Sequence, residues 1–413
     1  MKIIIAHKYW YPRDGSTTHV FDLAKLLTDH GHTVIPFAMS SPNNVYSPFA
    51  EFFVSEKNFF SPKGLLQKIR LFFAMVYSFE AKKKFHALVT KERPDIVHIH
   101  NIYHHISPSI LDVCERMNIP IVQTVHDYKL VCSNYKLFAN GATDEGCLKG
   151  NYFHDAWNRS VKGSVLGGLA CAIEMSIHRA FGFYTKGVRR FIVPSKCVEE
   201  KLVQGGYAKE RISVIPHFVF EKVAPERVSA SYDIEYVLCV GRLSEEKGFD
   251  IAIQAMKDLL LPLIIAGEGP ARAVLEKQAA TLGIADRVHF VGFQSRESIR
   301  KLMASATAVL IPSLWHEPFC YVVSESFLAH TLPIGSDIGA LKELLGGVSD
   351  RLLVPPGNPV ALAGRISELL GDKVARERLI ERGIKIYQER CAPETYYDSL
   401  MNVYRSAIKE LNT

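Results

Sequence analysis

Apolar residues along this chain recur in two alternating patterns. Short continuous runs predict buried strands at Lys2–Ala6, 32–38 (HTVIPFA), 95–101 (DIVHIHN), 120–127 (PIVQTVHD) and 191–195 (FIVPS). Between the first two runs, Val20, Leu23, Ala24 and Leu27 share one helical face, and Gly31 stands where a left-handed cap would end the helix. The second half repeats the order. Strands are predicted at 236–242 (YVLCVGR), 262–269 (PLIIAGEG), 287–293 (RVHFVGF) and 306–313 (ATAVLIPS), with helices over Phe249–Leu260 and Ala271–Leu282. A last helix is expected over Glu394–Leu411. Such alternation implies parallel sheets covered by helices on both faces, an α/β fold. A chain of 413 residues exceeds what one core usually organises, so two Rossmann-like domains are expected. The stretch 218–232 carries neither period and contains Pro225. It divides an expected first domain, 1–222, from a second, 223–393, with 394–413 as a helix packing back on the first.

Composition changes this picture little, but charge does. With 48% hydrophobic and 22% charged residues the chain is an ordinary globular protein, which excludes disorder, collagen and a disulfide scaffold. The net charge of +6 is uneven: residues 1–225 carry +9 and the remainder −3. A basic first half points to anionic partners, or only to a solvated basic face. Nucleic acid is not expected, because no aromatic–basic platform accompanies the charge. The stretch Lys57–Lys84 combines Phe59, Phe60, Leu65, Leu66, Phe72 and Phe73 with seven lysines or arginines. It reads either as an amphipathic helix on an anionic bilayer or as a core-facing helix with a basic outer side. Eight cysteines without a CxxC pair fit free thiols in a reducing compartment. The first residues, MKIIIAHKYW, enter a strand without a signal-peptide run, and no stretch approaches ~18 apolar residues. The expected location is cytoplasmic, with peripheral contact at the inner face of the cell membrane left open.

Two segments carry candidate chemistry. In Trp315–Glu325 (WHEPFCYVVSE), Pro318 pushes Glu317 out of helical conformation and is itself suited to a first helical turn. Glu317 is then extended, the amides near Phe319, Cys320 and Tyr321 form an anion site at a helix start, and Glu325 lies about one turn in. Carboxylates flanking an anion site suit a sugar diphosphate, since each accepts hydroxyl protons. Two glutamates near a helix start can also serve only as capping groups. In Val240–Gly248 (VGRLSEEKG) a strand ends in a glycine turn bearing Arg242 and Lys247, where a diphosphate needs compensating charge. Either cation alone reads equally well as a surface ion-pair partner.

GRLSEEKG, AGEGP, VGF and EPFCYVVSE, in this order and spacing, resemble the second domain of family-four retaining glycosyltransferases of the GT-B fold. In the first half YPRDGSTTHVFDLAKLL, DIVHIHN, TVHD and FIVPS are similar too, so the resemblance covers nearly the whole chain. It implies two Rossmann-like domains facing across a cleft, transfer of a hexose-type sugar with retention from a nucleotide donor, and a glycan or lipid-linked acceptor in bacterial surface polysaccharide synthesis. It further implies that Arg242 and Lys247 contact the donor diphosphate, Glu317 the transferred sugar and Glu325 the ribose. The loop at Gly15 and Ser16 would close over the phosphates, and His126 would lie near the reacting centre. The chain departs from the family at Ser16 and at Cys320, where glycine is common, and at His217-Phe218, where Asn-Gly often stands. Ser160 replaces a cysteine of one family branch, so free thiols rather than a metal knuckle are expected at Cys132 and Cys147. No Asp-x-Asp occurs, so no cofactor and no divalent metal is expected; cations and helix amides would stabilise the leaving group.

Other classes predict other signs. A nucleotide-dependent oxidoreductase requires G-x-G-x-x-G after the first strand, and the loop His7–Gly15 lacks it. A nucleotide-sugar epimerase or phosphorylase, or an inactive nucleotide-sugar-binding protein of the same fold, remains as the alternative; Arg242, Lys247, Glu317 and Glu325 together favour transfer. The nucleotide base, the sugar and the acceptor are not legible from these residues.

Overall fold

The computed structural model describes residues 1–57, 59, 64–161, 163–220 and 235–411. The chain divides into two compact units. The first comprises 1–137, 145–217 and 393–413; the second comprises 138–144 and 218–392. The expected linker therefore begins at 218, and its part from 221 to 232 lies outside the described residues.

The first unit is built on β1 (Lys2–Ala6), β2 (Thr33–Phe37), β3 (Ile96–Ile99) and β4 (Ile121–Thr124). The two-residue strands β5 (Phe138–Ala139) and β6 (Ala142–Thr143) form a separate antiparallel pair that groups with the second unit. β7 (Arg190–Val193) and β8 (Ile212–Val214) complete the first sheet, in the order β2-β1-β3-β4-β7-β8, every pair parallel. Ile3, Ile4, Ile5, Ile96, Val97 and Ile99 are fully buried, because a parallel sheet is covered on both faces. The C-terminal helix Pro393–Lys409 belongs to this unit and buries Tyr396, Leu400 and Tyr404.

The second unit contains β9 (Val237–Val240), β10 (Leu263–Ala266), β11 (Val288–Gly292), β12 (Ala308–Ile311), β13 (Leu332–Ser336) and β14 (Leu353–Val354). Their order is β11-β10-β9-β12-β13-β14, again all parallel. Counted from its own first strand this is 3-2-1-4-5-6, the doubly wound order of dinucleotide-binding sheets. Successive strands run outward from β9 on one side and then on the other. The switch point falls between β9 and β12, which pair at Ala308↔Val237 and Val309↔Leu238. Ligands of such sheets sit outside the carboxyl ends of the strands at that point.

Some local expectations need correction. The helix read over Phe249–Leu260 is α-helical only over Phe249–Ala255 and tightens to a 3-10 turn at Met256–Asp258. The segment at Gly15 and Ser16 is not a loop; these are the first residues of the helix Gly15–Asp29. The helix Gly64–Val76, within the basic stretch, buries only Met75 while Leu65, Leu66, Ile69 and Phe73 are exposed. That is the reverse of a core-facing helix. Phe60 of the same stretch lies outside the described residues.

Candidate active site

In the second unit, the turn after β9 is fixed by backbone packing that only glycine permits. Gly248 has φ +64°, and a Cβ there would stand 2.0 Å from the carbonyl oxygen of Pro312. Close approach of this turn to the end of β12 is what brings the cation-bearing loop to the carboxylate-bearing one. Leu314 N donates to Glu246 O at 2.9 Å and ties the two loops together. Gly248→Ala is expected to destabilise the protein by about 2–5 kcal/mol, adding left-handed strain to overpacking. Chemical denaturation followed by circular dichroism checks it.

The result is a close ion pair across the switch point. Lys247 Nζ lies 2.7 Å from Glu317 Oε1. Glu317 is 2% exposed and also accepts a hydrogen bond from Ser313 Oγ at 2.8 Å. Burial works against the Lys247 charge, but Glu317 outweighs it and raises the ammonium pKa, so the lysine carries its charge at neutral pH. Glu317 is held in place through its main chain as well: Ala340 N donates to its carbonyl at 3.0 Å. Arg242, on the same turn as Lys247, is exposed.

Four residues beyond Glu317 begins the helix Tyr321–Leu328. Cys320 occupies the cap position, makes no side-chain capping bond, and its thiol is pushed up to about 12, first by burial and then by Glu317. No acidic residue lies in the first turn, so no carboxylate of that turn offsets the positive end of the helix dipole. Glu325 is half-buried one turn in, and Phe319 is half-buried beside the helix start. The contrast with the first unit is instructive. There Asp14 caps the helix Gly15–Asp29, its carboxylate accepting from Thr17 N at 3.1 Å and from Ser16 Oγ at 2.7 Å. An anion at Gly15 and Ser16 would meet the capping carboxylate, whereas the first turn at Tyr321 carries none.

His126 sits in the first unit among histidines that the sequence reading did not connect. His7 follows β1, His98 lies in β3 with His100 just beyond, and His126 follows β4, so parallel register alone gathers them at one end of the sheet. His100 Nδ1 is 2.9 Å from His126 Nε2, with the rings stacked at 5.2 Å. His19 lies 5.3 Å from His126 and 4.0 Å from His217, centroid to centroid, and its Nε2 is 3.1 Å from the hydroxyl of Tyr396 in the C-terminal helix. His98 bridges Tyr404 and Thr124 at 2.7 Å each. Burial holds all of these rings in the neutral form: His7 falls to about 4, His98 and His217 to about 3, and His19, His100 and His126 lie well below 6.5. His7 Nε2 and His100 Nε2 are buried and have no hydrogen-bond partner among the described residues.

The knuckle residues are drawn together. Sulfurs of Cys132 and Cys147 and a carboxylate oxygen of Asp155 lie within 4.8 Å of one another. Asp155 also accepts bonds from Ser133 N (2.9 Å), Asn134 N (3.3 Å), Asn134 Nδ2 (3.1 Å) and Ser160 Oγ (3.0 Å). A hydrogen-bonded hub thus organises this segment, with Ser160 donating to the Asp155 carboxylate.

Sequence reading missed Ser313, the second polar partner of Glu317, and His19 and His100, and named His217 only as a departure from the family turn. The Ser313 signal was present, a serine at the end of a predicted strand four residues before Glu317.

Comparison with known proteins bears on this geometry. Residues 13–221 match the family model Glycosyltransferase Family 4, and residues 226–386 match Glycosyl transferases group 1. An uncharacterised glycosyltransferase of Methanocaldococcus jannaschii is 25% identical, covering 99% of each chain. A lipopolysaccharide core biosynthesis glycosyltransferase, LpsD of Rhizobium meliloti, is 29% identical over 54% of this chain and 65% of its own. Among solved structures, HepE of Anabaena in complex with UDP superposes with a TM-score of 0.69 at 19% identity, covering 98% of this chain and 100% of that one.

Proposed function

We propose, from the premise that this chain belongs to family four of the glycosyltransferases and has the GT-B fold, that it moves a hexose-type sugar from a nucleoside-diphosphate donor to a glycan or lipid-linked acceptor, with retention and without a metal ion. The observation that carries the reading is the Lys247–Glu317 pair at the switch point between β9 and β12, beside a helix start with no acidic residue in its first turn. A diphosphate placed there gains the helix amides, Lys247 and Arg242. As the bond from the anomeric carbon to the phosphate oxygen breaks, negative charge collects on that oxygen, and these groups lower its energy. The acceptor hydroxyl bonds to the anomeric carbon on the face being vacated and gives its proton to the departing phosphate oxygen. Glu317 accepts a hydroxyl hydrogen of the sugar, and Glu325 those of the ribose. His126, neutral at physiological pH, accepts or donates one hydrogen bond near the reacting centre without adding charge. Relatives acting in lipopolysaccharide core synthesis, and a neighbour crystallised with UDP, support an acceptor in surface polysaccharide and a nucleotide donor.

A thermal-shift panel of UDP, GDP, ADP, CMP and their sugars tests the donor, because a ligand raises the melting point according to its affinity. One diphosphate series is expected to stabilise the protein, and transfer is expected to persist in EDTA. Activity abolished by the chelator and restored by Mn²⁺ would refute the metal-free mechanism.

The helix Gly64–Val76 favours peripheral membrane contact as part of the same function. Leu65, Leu66 and Phe73 are 72%, 85% and 65% exposed, and Lys68 and Arg70 are exposed on the same helix. Apolar side chains flanked by cations suit an anionic lipid surface. Among the described residues no helix is long and apolar enough to cross a membrane. Binding to vesicles containing phosphatidylglycerol is expected at low salt, and Leu66→Glu/Phe73→Glu should abolish it in a flotation assay.

A further inference from the structure

The helix Val165–Phe181 of the first unit bears side chains that sugar transfer does not call on. Cys171 and Glu174 lie three residues apart on it, the spacing that places two side chains on one face. His104 approaches them from Tyr103–Ile106, the short helix that follows β3. A ring nitrogen of His104, the Cys171 sulfur and a Glu174 carboxylate oxygen all lie within 4.8 Å of one another. Glu174 is fully buried, and its two oxygens differ. Oε2 accepts from Lys129 Nζ at 2.9 Å. Oε1 stands 3.2 Å from His104 Nδ1, yet both atoms are buried without a hydrogen-bond partner among the described residues. Burial lowers the His104 pKa, so the ring is neutral at pH 7 and the contact is not an ion pair.

We infer that His104 Nδ1, Cys171 Sγ and Glu174 Oε1 bind one zinc ion. Ligand atoms about 2.1 Å from a tetrahedral ion stand about 3.4 Å apart. The 3.2 Å between Nδ1 and Oε1 is close to that separation. An ion there takes up two buried lone pairs that otherwise face each other unsatisfied. The ligand set selects the metal, since imidazole and thiolate suit zinc whereas calcium and magnesium take oxygen ligands. On binding, the Cys171 thiol releases its proton to solvent as the Zn–S bond forms. The Lys129 charge beside that sulfur favours the thiolate. Lys129 keeps Oε2, as outer donors do with a ligating carboxylate. Three protein ligands leave a fourth position for water. His178 Nε2 lies 2.8 Å from Val76 O and so carries the ring proton. Its Nδ1, 3.8 Å from Glu174 Oε1, is then an acceptor for that water. A cavity of about 260 Å³ bordered by Lys129, Glu174 and His178 gives the ion a way in. The cluster of Cys132, Cys147 and Asp155 differs, because both Asp155 oxygens already accept hydrogen bonds. The missing Asp-x-Asp motif concerns a metal on the diphosphate. This ion ties two helices together and takes no part in transfer.

Cobalt(II), titrated into the full chain after stripping with dipicolinate under reducing conditions, tests the site by its absorption spectrum. Tetrahedral d–d bands and a thiolate-to-cobalt charge-transfer band are expected, saturating at one ion per chain and bleached by zinc. Cys171→Ser should remove the charge-transfer band. His104→Gln should weaken cobalt binding more than about a hundredfold, beyond what outer-shell changes cost. Both variants leave the buried Lys129–Glu174 pair intact. Cys147→Ser should leave the spectrum unchanged. Zinc is also expected to raise the melting temperature of the stripped protein but not that of Cys171→Ser. The site is overturned if no thiolate band appears, if the band survives in Cys171→Ser, or if Cys147→Ser abolishes it instead. Neither donor nor acceptor is present in these measurements, so the glycosyltransferase reading stands or falls separately.

Discussion

Lys247→Met is expected to lower sugar transfer about a thousandfold and to destabilise the protein by about 3 kcal/mol. The catalytic loss follows from removing one preorganised cation from the developing charge of the leaving group. The stability loss follows from the other end of the pair. Glu317, 2% exposed, keeps Ser313 as a hydrogen-bond donor but loses its compensating ammonium. Breaking a buried pair from one side costs about 3–5 kcal/mol, and the low end applies because the Lys247 side chain keeps 25% of its surface in water. Glu317→Gln removes the charge but not the volume. It should retain nucleotide binding in a thermal-shift assay while transfer falls by a similar factor. The double variant Lys247→Met/Glu317→Gln separates the two effects, because stability should return toward wild type while activity does not. Full activity in Lys247→Met would end the view that this pair serves the chemistry.

Acidification is expected to unfold the first unit before ordinary carboxylate titration would. In an unfolded chain histidine takes a proton near pH 6.5, whereas in the folded protein His7 does so only near 4 and His98 and His217 near 3. As pH falls below 6.5 the unfolded state binds protons that the native state refuses, so stability falls with pH. The loss runs from about pH 6.5 down to those folded values. At pH 5 each of the three contributes a loss of about 2 kcal/mol, and about 6 together approaches the whole stability of many domains. Asp127 acts in the opposite direction, since burial raises its pKa and the native state then welcomes its proton, but it is one group against several. Protonation also breaks the His100–His126 bond, which needs one ring nitrogen without a proton. A melting series from pH 7.5 to 4.5 by circular dichroism checks this. A flat profile across that range would show that the histidines take up protons in the fold.

Much of this molecule was legible before any coordinates. The strands at Lys2–Ala6, 95–101 and 306–313 were visible because a strand buried on both faces must be continuously apolar, and Gly31, at φ +77°, ends its helix as the pattern required. Short elements were not visible. β8 has three residues and β14 two, too few to show any period, and the helix beginning at Phe249 ends at Ala255 although its apolar pattern runs on. At the site, Arg242, Lys247, Glu317 and Glu325 stood out only in combination, since each alone reads equally well as a helix-capping or surface ion-pair group.

The chain's linear order thus determined the α/β class, two sheet-building halves and the candidate residues for a diphosphate site, since these depend on side-chain type and spacing within a few turns. Which of those residues meet was decided only by tertiary structure. Lys247 and Glu317 are 70 positions apart and touch because β9 and β12 are neighbours in the sheet. Likewise the histidines at the ends of β1, β3 and β4 share one neutral cluster because strand pairing joins distant segments. No local pattern encodes that pairing; it is chosen by the burial of the whole sheet at once.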